Sequence, residues 1–253
     1  MAATLDRSPG FVDGDVLPAG WHWLYFHDVV EASRLGRDGH PALGVSMPPI
    51  AASRRMWAGG DLAFAGSLRM GETVHRTSSI TDITPKLGRS GPMHFVNIQH
   101  EASVDGETRI LEQQTIVYLE SDRTTSDAPT PLEAPGSAAF ERTWELDETT
   151  LFRYSALTIN SHRIHYDLDY ARGVERYPGL VIHGPLLATL LMDLACEHFG
   201  PLAEFSYRAR APLFVPQTVL AGGVSTPTGA NLWAASNHGV VGMRATATYK
   251  EGK

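Results

Sequence analysis

The chain has a single cysteine, Cys196, so no internal disulfide can form. Its apolar run, Leu-Leu-Met-Asp-Leu-Ala-Cys, reads as the setting of a buried thiol in a reducing compartment rather than of a nucleophile. Positive charge is also short: 21 Lys and Arg against 28 Asp and Glu give a formal charge of −7. Such a chain has no overall attraction for nucleic acid or an anionic membrane, and an anionic ligand must find a local cluster of cations. Long apolar runs are missing as well. The greasiest stretch, residues 179–196, is interrupted by His183, Pro185 and Asp193 and reads as a buried element, not a membrane span. The first residues lack a basic segment followed by an apolar core, so no signal peptide is expected and a cytoplasmic location is.

What is plentiful is turn chemistry. Gly 24 and Pro 16 together are more than a helical bundle or coiled coil would carry. Residues 121–137 (SDRTTSDAPTPLEAPGS) hold three prolines and one large aliphatic side chain, the composition of a linker. They divide the chain into residues 1–120 and 138–253, and the halves share a pattern. Leu68, Gly71, Thr73 and Val74 fall on Leu213, Pro216, Thr218 and Val219 at one fixed offset. Two period-2 strands follow in each half: 93–102 and 107–120, then 231–237 and 240–249. Asp105-Gly106 and Asn237-His238-Gly239 read as the hairpin turns between them. An internal duplication of a mostly antiparallel sheet is the expectation.

One helix is clear. After His183-Gly184-Pro185, the residues Leu186, Leu187, Leu190, Leu191, Leu194 and Ala195 make an apolar stripe, and Gly200-Pro201 stops it. The first half has no equal; its candidate around 46–57 is interrupted by Pro48 and Pro49. Trp57 and the group Trp21, Trp23, Tyr25 and Phe26 read as core aromatics.

The densest polar segment is 152–172, FRYSALTINSHRIHYDLDYAR. Three readings compete. It is a solvated loop with incidental histidines, or a metal site built on His162, His165 and Asp167, or an acid–base site in which His165 moves protons and Asn160 orients a partner. His-x-x-His without further ligands at zinc spacing is weak evidence for metal.

The segment resembles the motif of MaoC-like, hot-dog-fold enoyl-CoA hydratases, and YSALTINSHRIHYD is closer still to the variant in two-hot-dog hydratases of the mesaconyl-C4-CoA and itaconyl-CoA type. HWLYF (22–26), SRRMWAGG (53–60), GRSGPMHFV (88–96) and GLVIHGPLLATLLMDL (179–194) extend the resemblance in matching order. It implies an α+β double hot dog: two antiparallel sheets, each wrapped around a central helix, the N-terminal helix degenerate. The 1–120 half would help form the acyl-CoA site, and the 138–253 half would carry catalysis.

Carried over by position, His165 is the acid–base residue and Asn160 the water or substrate positioner. The usual motif Asp is Thr158 here, so Asp167 is a candidate to orient His165 instead. The amide of Gly184, at the start of a helix, would face the thioester oxygen, because helix N-termini offer unpaired N–H groups and glycine allows close approach. His183 shapes that turn. Arg54, Arg55, Lys86 and Arg89, with Arg76 and with Arg163 from the second half, are the candidate cations for coenzyme A phosphates or an acyl carboxylate, and Trp57 lies beside them.

The implied activity is reversible hydration of a short branched unsaturated acyl-CoA, mesaconyl-C4-CoA or itaconyl-CoA, to citramalyl-CoA. Alternatives are a 3-hydroxyacyl-thioester dehydratase of fatty-acid synthesis and a non-catalytic acyl-CoA-binding protein. No metal or separate cofactor is expected, coenzyme A being part of the substrate; a homodimer is possible.

Overall fold

The computed structural model describes the chain except residues 9, 28, 46, 51, 53, 89–90, 121–131 and 251–253. Four strands come first: β1 (Arg54–Phe64), β2 (His75–Gly88), β3 (Gly91–Val104) and β4 (Glu107–Leu119). The second half runs β5 (Phe140–Leu146), α1 (Glu148–Thr158), α2 (Leu168–Gly173), α3 (Gly184–Phe199), β6 (Leu202–Ala209), β7 (Gln217–Thr226), β8 (Gly229–Ser236) and β9 (Val241–Tyr249).

The strands form one nine-stranded sheet in the order β2-β3-β4-β1-β6-β9-β8-β7-β5, antiparallel throughout. From the β1–β6 seam outward the order is 1-4-3-2 on one side and 6-9-8-7 on the other, the repeat expected from the sequence. The two expected sheets therefore meet edge to edge, with Gly59 to Ala63 paired against Arg208 to Glu204. That pairing hides two strand edges that would otherwise expose unpaired backbone groups. The β3–β4 hairpin turns on Asp105 and Gly106, at φ 50° and 81°, the two positive values that a type I′ turn requires.

The C-terminal half wraps around α3. Leu186 to Ala195 are all buried, and the helix packs against β5, β6, β7, β8 and β9. Leu186, Leu187, Leu190, Leu191 and Leu194 lie at 5% exposure or less, each stabilising the fold by about 2 kcal/mol. Gly200 ends the helix at φ 85°. Cys196 is half-buried, and burial pushes its thiol up to about 11, which removes it as a nucleophile at neutral pH.

Among the described residues the first half has no α-helix. Short 3-10 turns at Ala2–Leu5, Trp21–Leu24 and Ala32–Arg34 stand in its irregular N-terminal segment. Its interior is held by Glu112, 2% exposed, which accepts hydrogen bonds from Trp23 and Gln114 and pairs with His22. Trp21 is buried as expected, whereas Tyr25 is half exposed and no core residue. Most of the linker, 121–131, lies outside the described residues; beyond it Val241 N–H donates to Leu132 and Ala134 N–H to Gly239, which ties the segment to β9 and its preceding turn.

Candidate active site

The polar segment 152–172 folds as a helix, a turn and a second helix, not as a loop or strand. Asp147 caps α1 by accepting the Thr150 N–H at 2.8 Å. The helix ends at Ile159, a β-branched residue at φ 48°, where a left-handed backbone costs of order 1–3 kcal/mol. That turn lets Asn160 N–H reach the Ser155 carbonyl at 2.9 Å. The Asn160 side chain accepts the His162 N–H through Oδ1 at 3.0 Å. Because that partner can only donate, the amide NH2 is left to donate elsewhere.

His165 sits in a single 3-10 turn, Arg163–His165, and is 7% exposed. Its Nδ1 is 2.7 Å from the Val181 carbonyl, which can only accept, so Nδ1 carries the proton and Nε2 keeps a free lone pair. Val181 N–H in turn donates to Ile164 at 3.0 Å and fixes the two segments together. His183 precedes α3, is fully buried, and stacks on His165 with ring centroids 3.6 Å apart. Its Nε2 shares a 2.9 Å hydrogen bond with the Ser155 hydroxyl.

The row of imidazoles continues the other way. His162 meets His165 edge-on at 5.6 Å, and His40 lies 4.3 Å from His162. Asp38 ends the row, with Oδ2 3.3 Å from His40 Nδ1 and Oδ1 accepting the His40 N–H. Residues 37–40 are clamped onto the motif: Arg163 N–H donates to the Asp38 carbonyl, Arg163 Nη1 to that of Arg37, and the Ser161 hydroxyl to that of Gly39. Gly39, at φ 90°, lies so close to Ser161 that a Cβ would overlap its carbonyl.

A cavity of about 340 Å³ opens beside this row, lined by Asn160, His162, His165, Gly184, Trp57 and Arg55 among others. A larger one, about 560 Å³, lies at the far end of α3 near Arg7, Asp193 and Glu197. The smaller cavity holds the candidate chemistry, so size alone is a poor guide here. No side chain caps α3, and its N-terminus, the positive end of the helix dipole, faces the smaller cavity through Gly184. The glycine has a reason beyond the one expected: a Cβ there would lie 2.8 Å from Cε3 of Trp57, whose indole stacks on Tyr207 at 4.3 Å. Trp57 thus lines the site while it packs against the core.

Burial sets the charges. Desolvation lowers His165 to about 4, the Val181 bond opposing it. His162 is lowered to about 3, by desolvation first and then by the charge of His165. His183 is pushed well down for the same reasons. These three histidines are neutral at pH 7, so the His165 lone pair is available there.

Several expected residues are elsewhere. Thr158 bonds back to the Tyr154 carbonyl within α1. Asp167 caps α2 through Tyr170 N–H and pairs with Arg163 at 2.7 Å, so it does not orient His165. The expectation failed because Asp167 opens α2, which turns its carboxylate to the Tyr170 N–H and to Arg163. Arg163, half exposed over the Tyr170 ring, is spent on that pair. Arg54 is held by Glu175 at 2.6 Å. Lys86 lies over the Phe95 ring, and Arg76 Nη2 donates to the Phe26 carbonyl, both away from this cavity. Arg89 lies outside the described residues.

Asp38, His40 and Arg210, which lines the cavity, carried no signal in the sequence, since nothing local ties them to a motif more than a hundred residues away in the case of Asp38. Asp38, His40 and His162 are also the group of described residues that offers three ligand atoms within 4.8 Å of one another. Asp38 Oδ2 and His40 Nδ1 face each other without an ion between them.

A hot-dog fold that sets an Asn…His motif against the N-terminus of its central helix defines a class of enzymes that add water to acyl thioesters or remove it. The chain belongs to the hydroxyacyl-thioester dehydratase type 2 (Htd2) family, whose model matches residues 20–215. It is 47% identical over 216 residues to the mesaconyl-C(4)-CoA hydratase of Chloroflexus aurantiacus, covering 84% of this chain and 77% of that one. It is 28% identical over 226 residues to the mitochondrial hydroxyacyl-thioester dehydratase type 2 of Schizosaccharomyces pombe, covering 79% and 75%. In fold it is similar to a MaoC-like dehydratase from Phytophthora capsici (TM-score 0.74, 12% identity, 100% and 91% covered) and to HtdX of Mycobacterium tuberculosis (0.70, 16%, 98% and 93%).

Proposed function

We propose that the protein hydrates a short, branched, unsaturated acyl-CoA, mesaconyl-C4-CoA or its isomer itaconyl-CoA, to citramalyl-CoA. The observation that carries this reading is the free Nε2 of His165 beside the cavity that the N-terminus of α3 also faces. The identity to the Chloroflexus hydratase supports the acyl chain, and a 340 Å³ cavity suits a short one.

In the hydration of mesaconyl-C4-CoA, whose double bond is conjugated with the thioester, water held by the Asn160 amide gives a proton to His165 Nε2 as its oxygen bonds to Cβ. The π electrons move onto the thioester oxygen. That oxygen is met by the Gly184 N–H and the helix dipole. The enolate charge growing near His165 favours the imidazolium at the moment of transfer. Collapse of the enolate then takes the proton from His165 at Cα, so atoms and charge balance and no metal or separate cofactor is used.

The rival dehydratase of fatty-acid synthesis shares this chemistry and differs in chain length. Purified protein is incubated with mesaconyl-C4-CoA, itaconyl-CoA and crotonyl-CoA, and product mass is followed. Turnover of a diacid thioester that is lost in His165→Ala is expected; preference for crotonyl-CoA refutes the diacid assignment, and no turnover of any refutes the enzyme. Among the described residues no helix is long and apolar enough to cross a membrane; a cytoplasmic location belongs to the proposal. So does a homodimer, for which the edge strand β2, with Ile80, Ile83 and Leu87 exposed, is the contact we assign. Light scattering of wild type and Leu87→Lys tests it.

A further inference from the structure

Two neighbouring arginines on β1 have opposite circumstances. Arg54 donates through Nε to Glu175, a carboxylate 5% exposed, and lies over the Tyr177 ring. Its charge is answered within the protein. Arg55 lines the 340 Å³ cavity, and among the described residues no carboxylate forms a hydrogen bond or ion pair with it. Its cross-strand partner is Tyr118, 1% exposed, whose hydroxyl lies beside the guanidinium but makes no hydrogen bond of ordinary geometry. Asp38 acts on Arg55 only through space, and each of its oxygens faces His40. No Asp or Glu lines the cavity.

The wall therefore carries a desolvated guanidinium with no acceptor paired to it, and a buried phenol lies behind it. Leaving such donors unanswered costs free energy. Desolvation also lowers the Arg55 pKa, the mark of a cation short of a counter-charge. The complementary ligand is planar and negative and has two oxygens, which describes a carboxylate. Its distance from the reacting centre is fitting: Arg55 is two residues, about 7 Å, along β1 from Trp57, and Trp57 touches Gly184. Gly184 and Arg55 line the same cavity, so a short acyl chain in it has the thioester site on one wall and the guanidinium on another.

We propose that Arg55, assisted by Tyr118, holds the free carboxylate of a short dicarboxylic acyl thioester and selects it over a monocarboxylic one. This deepens the hydratase reading and rests on it for the placement of the thioester, but its test uses binding, not turnover. Affinities for succinyl-CoA and butyryl-CoA, which share coenzyme A and differ in the carboxylate, are measured by calorimetry on wild type, Arg55→Gln and Tyr118→Phe. Wild type is expected to prefer succinyl-CoA by about 10- to 100-fold, as for a charged hydrogen-bonded pair. Arg55→Gln is expected to erase the preference and Tyr118→Phe to reduce it a few-fold. A wild type without preference overturns the proposal whether or not it hydrates anything. So does an Arg55→Gln protein whose two affinities fall together, which would assign the arginine to coenzyme A or to the fold.

Discussion

His165 and His183 stack nearly face to face, with ring centroids 3.6 Å apart and 17° between planes. Two imidazolium ions cannot share that space, so at most one of the two rings is charged, and His183 supplies a flat wall that fixes the His165 ring. His165→Ala is expected to lower kcat by about 100- to 10,000-fold with the melting temperature little changed. His183→Ala leaves a fully buried void and is expected to lose about 2–4 kcal/mol of stability as well as rate. Steady-state kinetics beside thermal melts separate the two; equal activity in His165→Ala and wild type would sink the mechanism.

The free enzyme needs neutral His165, which burial has lowered to about 4. The acid limb of kcat/KM is therefore expected below pH 5, with a plateau through neutrality rather than a fall near 6.5. Stability follows the same sign. The native state refuses protons that the unfolded histidines take up, so their contribution is present above pH 6.5 and is lost as pH falls toward 4. Asp193 opposes this: burial raises it to about 6, so its contribution is present below about pH 3.8 and is lost as pH rises through 6. Asp193→Asn is expected to steepen the net gain in stability between pH 4 and 6, measured by urea melts.

Asp38 and His40 come from the first half and press on the motif of the second. Asp38→Asn or His40→Ala is expected to reduce kcat about 10- to 100-fold through misplacement of His162 and its loop. Because the pair works as a hydrogen bond, dialysis against a chelator is expected to leave activity and metal content at their starting values. Loss of activity on chelation, restored by a divalent ion, would reassign the Asp38, His40 and His162 group as a metal centre.

Gly184 and Trp57 are in direct contact. Gly184→Ala forces the indole aside and is expected to cost about 1–3 kcal/mol and a clear loss in kcat/KM. Gly184→Ala with Trp57→Leu is expected to lose less stability than the two single changes added together, since one clash explains part of both. Strict additivity in urea melts would show that the contact is not the constraint.

The strands and α3 were legible because their signals are local. Period-2 alternation, Asp105-Gly106 and a Pro-started leucine stripe each act over a few residues. Asn160 and His165 stood out in a dense polar segment as one of three readings, and resemblance to a known motif chose among the three. The helical form of 148–173 was missed because its caps, Asp147 and Asp167, look like any acidic residues until their N–H partners are known. Loss of the motif Asp made Asp167 the candidate partner of His165, and a helix start turned it toward Arg163.

By itself the sequence determined the repeat, the central helix of the second half and the lack of an equally clear helix signal in the first. Those follow from hydrophobic period and turn chemistry, which are written in consecutive residues. Tertiary structure alone decided which cations meet a cavity and which meet a carboxylate. Arg54 and Arg55 are identical in sequence terms. One finds Glu175, 121 positions away, and the other has a phenol beside it, a cavity in front and Asp38 acting only through space. Charge compensation acts through distance in space, and the β1–β6 seam that brings the two halves together sets that distance.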